Sequence, residues 1–169
     1  MNLEQIFQID PNPEDNRKLK SFDGWLKYWS KIADGRRMAS MPDLYAGFKL
    51  LKDQSENGNV MEIAEAKSLI SSLREDLFFD CSNKKYYLIC NTIADYSSSS
   101  QDTKIIHNYC YPDLREEVNI EVPYYNNNFI EDVIVQENGL FAFQAFLGTD
   151  DDAEKIIQTF EFISGRSKD

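Results

Sequence analysis

The chain has 169 residues, 42% of them hydrophobic and 13% aromatic, and a formal net charge of -11. That length suits one domain with a sizeable core, and the composition excludes a disordered polar chain or a fibrous one. The charge disfavours direct nucleic-acid binding and an anionic membrane surface, because both depend on Lys and Arg meeting phosphate.

Residues 1–10 bring Leu3, Ile6, Phe7 and Ile9 together ahead of Pro11 and Pro13, which fits a short edge strand or a docked helical turn. They lack the basic start and long apolar run of a secretory leader, and no stretch approaches the ~18 apolar residues of a membrane span, so the expected location is the cytoplasm. Asn12-Pro13-Glu14-Asp15 offers a cap, a proline at the first turn and acids at the positive end of a helix dipole. From there Leu19, Phe22, Leu26, Trp29 and Ala33 keep helical spacing as far as Gly35. A second helix is expected over about 42–53, where Leu44, Tyr45, Phe48 and Leu51 share one side and Gly47 permits a close crossing. After Asn57-Gly58, the pair Asn59 and Glu62 forms a capping box. It opens a third helix whose stripe is Ile63, Ala66, Ile70, Leu73 and Leu77, ending near Phe78.

Beyond Asn83 the hydrophobic period drops from about 3.6 to two. Residues 85–93 are apolar on both faces and read as a central strand; the serine run 97–100 reads as a loop. Residues 103–111 form a second strand with Ile105, His107, Tyr109 and Tyr111 on one face, ended by Pro112. Residues 117–124 alternate, with Val118, Ile120, Val122 and Tyr124 inward and Glu117, Asn119 and Glu121 outward; Asn126-Asn127-Asn128 is turn material. From Phe129 onward two further apolar runs meet at Asn138-Gly139, a hairpin signal that puts Phe141, Phe143, Ala145 and Leu147 on one strand face. A final helix carries Ile156, Ile157, Phe160 and Ile163 and stops at Gly165. The expected fold is therefore α+β in a single domain spanning 1–169. A helical layer of about three helices (about 12–80) packs on a mostly antiparallel sheet of about five strands with a carboxy-terminal helix (about 84–165).

Chemistry-bearing residues are sparse. His107 is the sole histidine and the one ordinary general base near neutral pH; Cys110, three residues on, points to the opposite face of a strand. A half-buried imidazole bonded within a tyrosine-rich face is the preferred account of it. Cys81, Cys90 and Cys110 show no CxxC spacing. They read as reduced, mostly buried thiols, with Cys90 and Cys110 able to pair only in an oxidising compartment. Asp150-Asp151-Asp152 with Glu154 lacks the interleaving of a calcium loop and reads as a helix cap with acids at the dipole, so neither a metal nor a cofactor is expected. Arg36-Arg37 ahead of Ser40 suggests a modification or nucleic-acid site, but reads more simply as dipole partners and solvated loop residues. Phosphate-loop, nucleophile-elbow and zinc-protease motifs are absent from the sequence. Among the aromatics, Trp25, Tyr28 and Trp29 cluster on the first helix, where core packing explains the two tryptophans.

The acidic segment 113–154 holds eleven acids and a single base, Arg115. Within it, Tyr124 and Tyr125 are rimmed by carboxylates, the composition of a surface that meets a basic protein. The expectation is a non-enzymatic acidic binding protein, such as an inhibitor or immunity-type protein, engaging a basic protein partner such as a nucleic-acid-binding enzyme. The residues assigned to that surface are Glu116, Glu117, Glu121, Tyr124, Tyr125, Glu131 and Asp132. The alternatives are a small enzyme with His107 as general acid or base, and a structural or assembly subunit.

Overall fold

The computed structural model describes residues 21–77, 90–96, 102–121, 134 and 137–165. The expected element at 1–10, the serine loop, the asparagine turn, Cys81 and most of the expected fourth strand lie outside these residues. The class is α+β: five helices and a three-stranded antiparallel sheet among the described residues.

Helix α1 (Phe22–Trp29) opens at Ser21, whose side chain accepts from the Gly24 N–H. The expected start at Asn12-Pro13 lies outside the described residues, and the expected end is corrected. The helix stops at Trp29, six residues before Gly35, which sits in the following loop at φ 89°. Trp25, Tyr28 and Trp29 meet edge to face, at 5.9 and 5.5 Å between centroids. Among the described side chains of α1 none belongs to the buried core, whose helical residues come from later helices.

Helix α2 (Met41–Asn57) begins in a capping box: the Ser40 hydroxyl accepts from the Asp43 N–H while Asp43 accepts from the Ser40 N–H. Leu44, Tyr45, Phe48 and Leu51, the expected stripe, are all buried, as is Gly47. Helix α3 (Val60–Leu77) is capped by the expected reciprocal pair. Asn59 Oδ1 accepts from the Glu62 N–H at 3.1 Å, and the Glu62 carboxylate accepts from the Asn59 N–H at 2.8 Å. Its Ala66, Ile70 and Leu73 pack against α2.

The sheet has the order β1 (Thr92–Tyr96), β2 (Asp102–His107), β3 (Glu116–Glu121). The register places Thr92 opposite His107 and Ile105 opposite Val118. Thr103, Ile105, His107 and Ile120 are buried on the inner face, whereas Glu117, Asn119 and Glu121 stand exposed on the outer one, as the alternation requires. The expected central strand over 85–93 overlaps β1 only at Thr92 and Ile93; its residues 85–89 lie outside the described ones, and β1 is at an edge of the described sheet. The end of the second strand is corrected: β2 stops at His107 because Asn108 turns left-handed (φ 53°), which removes Tyr109 and Tyr111 from the strand.

The largest correction concerns 137–147. The expected hairpin at Asn138-Gly139 and the strand bearing Phe141, Phe143, Ala145 and Leu147 are instead one helix, α4 (Glu137–Leu147). Gly139, Ala142, Phe143, Phe146 and Leu147 lie at helical spacing and are buried or half-buried, while Phe141 is 55% exposed. The chain leaves α4 at Gly148 (φ 60°), where an added Cβ would stand 2.6 Å from Pro42 Cγ. Helix α5 (Ala153–Ser164) is capped by Asp152, which accepts from the Lys155 N–H, and stops as expected at Gly165 (φ 71°). Arg74 reaches from α3 to donate to the last-turn carbonyls of Ile163 and Phe162, at 2.8 and 2.6 Å.

The main core joins α2, α3 and α5 with Leu147 of α4 and the fully buried Ile134. A smaller cluster sets Ala142 of α4 against Ile105 and Ile120 of the sheet, and Phe146 packs on both. α4 is thus the element between the helices and the sheet.

Candidate functional site

The residues assigned from sequence to a binding surface divide when placed. Glu116, Glu117 and Glu121 belong to β3 and are exposed; Tyr124, Tyr125, Glu131 and Asp132 lie outside the described residues. Along β3 the pleat turns Glu117 and Glu121 to the outer face of the sheet and Glu116 to the other side. On β1 the exposed Asp95 shares the outer face, across the half-buried Lys104 of β2. The Lys104 ammonium at 3.2 Å and the Arg115 guanidinium at 2.8 Å hold the Glu117 carboxyl below the usual range. Glu121 is left at the end of the strand with its charge in solvent.

Glu116 instead lines a cleft of about 450 Å³ between the start of α2 and the connection from β2 to β3. Sequence reasoning did not find this cleft. Its floor is organised by Arg37, whose guanidinium donates from Nη1 to Asn108 Oδ1 and from Nη2 to Asp43 Oδ1, both at 2.6 Å. Burial works against the Asp43 charge, but the Ser40 N–H, the Ser40 hydroxyl and Arg37 outweigh it and leave the carboxyl below its ordinary value. The connection itself is tied down. The Asn108 amide donates to the Leu114 carbonyl at 3.2 Å, and the Tyr111 hydroxyl accepts from the Met38 N–H at 2.9 Å. A single turn of 3-10 helix (Pro112–Leu114) then delivers Arg115, which lies over the Tyr109 ring at 5.4 Å, into β3. The signals for this arrangement were Asn108, a residue that tolerates left-handed backbone, and Pro112 four residues later. Their link to Arg37, 71 residues away, had no local signature.

His107, the residue of the enzyme alternative, is 2% exposed and does not line the cleft. Its Nε2 faces the Ala145 carbonyl and its Nδ1 faces the Thr92 hydroxyl, both at 3.0 Å. A carbonyl can only accept, so Nε2 carries a proton. Thr92 Oγ1 also accepts from the Met41 N–H at 2.9 Å, so one hydroxyl meets both the imidazole and the start of α2. The imidazole thereby joins the sheet, the last turn of α4 and the first turn of α2.

The acids at 150–152 likewise serve local structure. The buried Asp151 receives the Tyr45 hydroxyl at 3.1 Å, Lys49 at 2.7 Å and Lys155 at 2.8 Å. Burial disfavours its charge, yet these donors hold the carboxyl far below the ordinary aspartate range. Burial and the Asp151 charge together push Tyr45 up to about 12. Arg36 pairs with Asp34 at 2.7 Å, and Ser40 is 1% exposed, so the paired arginines build a loop and a helix start.

Comparison with protein-family models, with curated proteins and with solved structures gives no match to this chain.

Proposed function

We propose that this chain is a non-enzymatic binding protein whose acidic sheet face engages a basic protein, in the manner of inhibitors and immunity-type proteins that occupy the cationic surface of a nucleic-acid-binding enzyme. The observation that carries this reading is the outer face of the sheet. Asp95, Glu117 and Glu121 stand exposed there, with Lys104 and Arg115 both drawn to Glu117, so that Asp95 and Glu121 are the acids of that face without an ion pair among the described residues. Complementary charge of this kind speeds encounter and selects partners, and its signature is sensitivity to salt. Tyr124, Tyr125, Glu131 and Asp132, which lie outside the described residues, are assigned to this binding role from the sequence alone.

The test is capture on the immobilised protein from an extract, in parallel with a Glu117→Lys/Glu121→Lys variant and with elution by increasing salt. A basic protein retained by the native chain, released by salt and lost with the variant is the expected result. Equal retention by both proteins, or retention indifferent to salt, would overturn the reading.

A further inference from the structure

The cleft beside β3 is lined by both signs of charge, and its acids Asp43, Asp113 and Glu116 outnumber its bases Arg37 and Arg115. Arg37 donates to Asn108 and Asp43, and Arg115 is held by Glu117 and the Tyr109 ring. Asp43 is taken by Arg37 and Ser40. Asp113 and Glu116 line the same cleft, are exposed, and have no hydrogen bond or ion pair among the described residues. Two carboxylates without partners among the described residues therefore line the cleft, while Arg37 is paired with Asp43 and Arg115 shares Glu117 with Lys104. Between the acids, Leu114 lines the wall and is 49% exposed, giving an apolar surface beside the charges. The wall is preformed, because Asn108, Tyr111 and Pro112 fix the connection through bonds to Leu114, Met38 and Arg115. A rigid wall loses little entropy when a ligand binds.

We infer that this cleft receives an arginine side chain of the basic partner, its guanidinium between Asp113 and Glu116 and its methylene stem along Leu114. The charge left open selects a cation, and the apolar wall beside it favours a long stem over a bare ion. The planar fork of arginine suits carboxylates better than a point charge does. An anionic ligand would meet the two open carboxylates and find both guanidiniums already engaged. The inference rests on the reading of the chain as a binder of basic proteins, and names the contact by which it selects them.

N-acetyl-arginine amide, titrated into the full chain and followed by backbone amide shifts, tests it, with N-acetyl-glutamine amide as the neutral control. The expected result is shifts confined to residues 37–43 and 108–116, none with the control, and loss of the shifts in Asp113→Asn/Glu116→Gln. That variant replaces two exposed acids with near-isosteric amides, and unchanged shifts elsewhere in its spectrum verify its fold. Absent shifts, shifts spread over the outer sheet face, or shifts that persist in the variant would overturn the inference. The two proposals fail separately. Cleft shifts without any captured partner remove the proposed function alone, and salt-sensitive capture without cleft shifts removes the arginine site alone.

Discussion

His107 is engaged at both ring nitrogens, and what it engages explains why the chain has a histidine there. One nitrogen meets Thr92, which also accepts from the first N–H of α2; the other meets a carbonyl of α4, so one side chain satisfies polar groups of separate elements in a buried place. Removing it takes one partner from the Thr92 hydroxyl and its side-chain donor from the Ala145 carbonyl, in a space that water does not readily reach. His107→Ala is expected to cost about 2–4 kcal/mol of stability, measured by urea denaturation. A variant as stable as the native chain would show that the imidazole is not a structural tie. Glu117 was legible as an outward-facing acid from the alternation around Val118 and Ile120. Its capture by Lys104 and Arg115 was not, because cross-strand geometry decides which charges meet.

At the scale of the element, α2, α3 and α5 could be read from sequence because their caps are local. Ser40 with Asp43, Asn59 with Glu62, and Asp152 with the Lys155 N–H each close within three residues. The run Leu140-Phe141-Ala142-Phe143-Gln144-Ala145-Phe146-Leu147 was ambiguous. Its odd positions alternate as a strand would, yet Gly139, Phe143 and Leu147 also repeat every four residues, and Gly148 follows where a helix would stop. The two readings differ in what Phe141 does. A strand buries Phe141 with Phe143, whereas the helix leaves Phe141 in solvent and packs Phe143 on the main core. Phe141→Ser is therefore expected to change stability by less than about 0.5 kcal/mol, and Phe143→Ser to cost about 2–3 kcal/mol. Paired thermal melts check this. Equal losses at the two positions would restore the strand.

At the scale of the molecule, Asp151 ties the start of α5 to α2 through Tyr45 and Lys49 while Lys155 closes it from its own helix. Its carboxyl is depressed on folding, so the native state holds it ionised more firmly than the unfolded chain does. The resulting stability is complete above the ordinary aspartate pKa of about 3.9. It is lost as pH falls below that value toward the depressed native one. Asp151→Asn should cost about 2 kcal/mol at neutral pH, the partly exposed lysines moderating the value for a buried pair. It should also flatten the acid limb of the stability profile below about pH 4. Denaturation midpoints compared between neutral and acid pH measure both effects, and parallel profiles for the two proteins would remove Asp151 from this role.

The sequence by itself determined the mixed class, the helices with local caps, the inner and outer faces of β3, and the acidity of the second half of the chain. Each rests on spacing within a few residues or on composition, which folding does not alter. Only the tertiary structure decided that 137–147 is a helix, since the pattern Leu140 to Leu147 admits either state and the place of Ala142 between Ile105 and Ile120 selects one. Packing likewise decided that His107 is a buried tie. It also set Asp113 and Glu116 opposite an arginine 71 residues from its Asn108 partner, leaving their charges open. Those outcomes depend on which distant groups satisfy one another, and no local spacing encodes that choice.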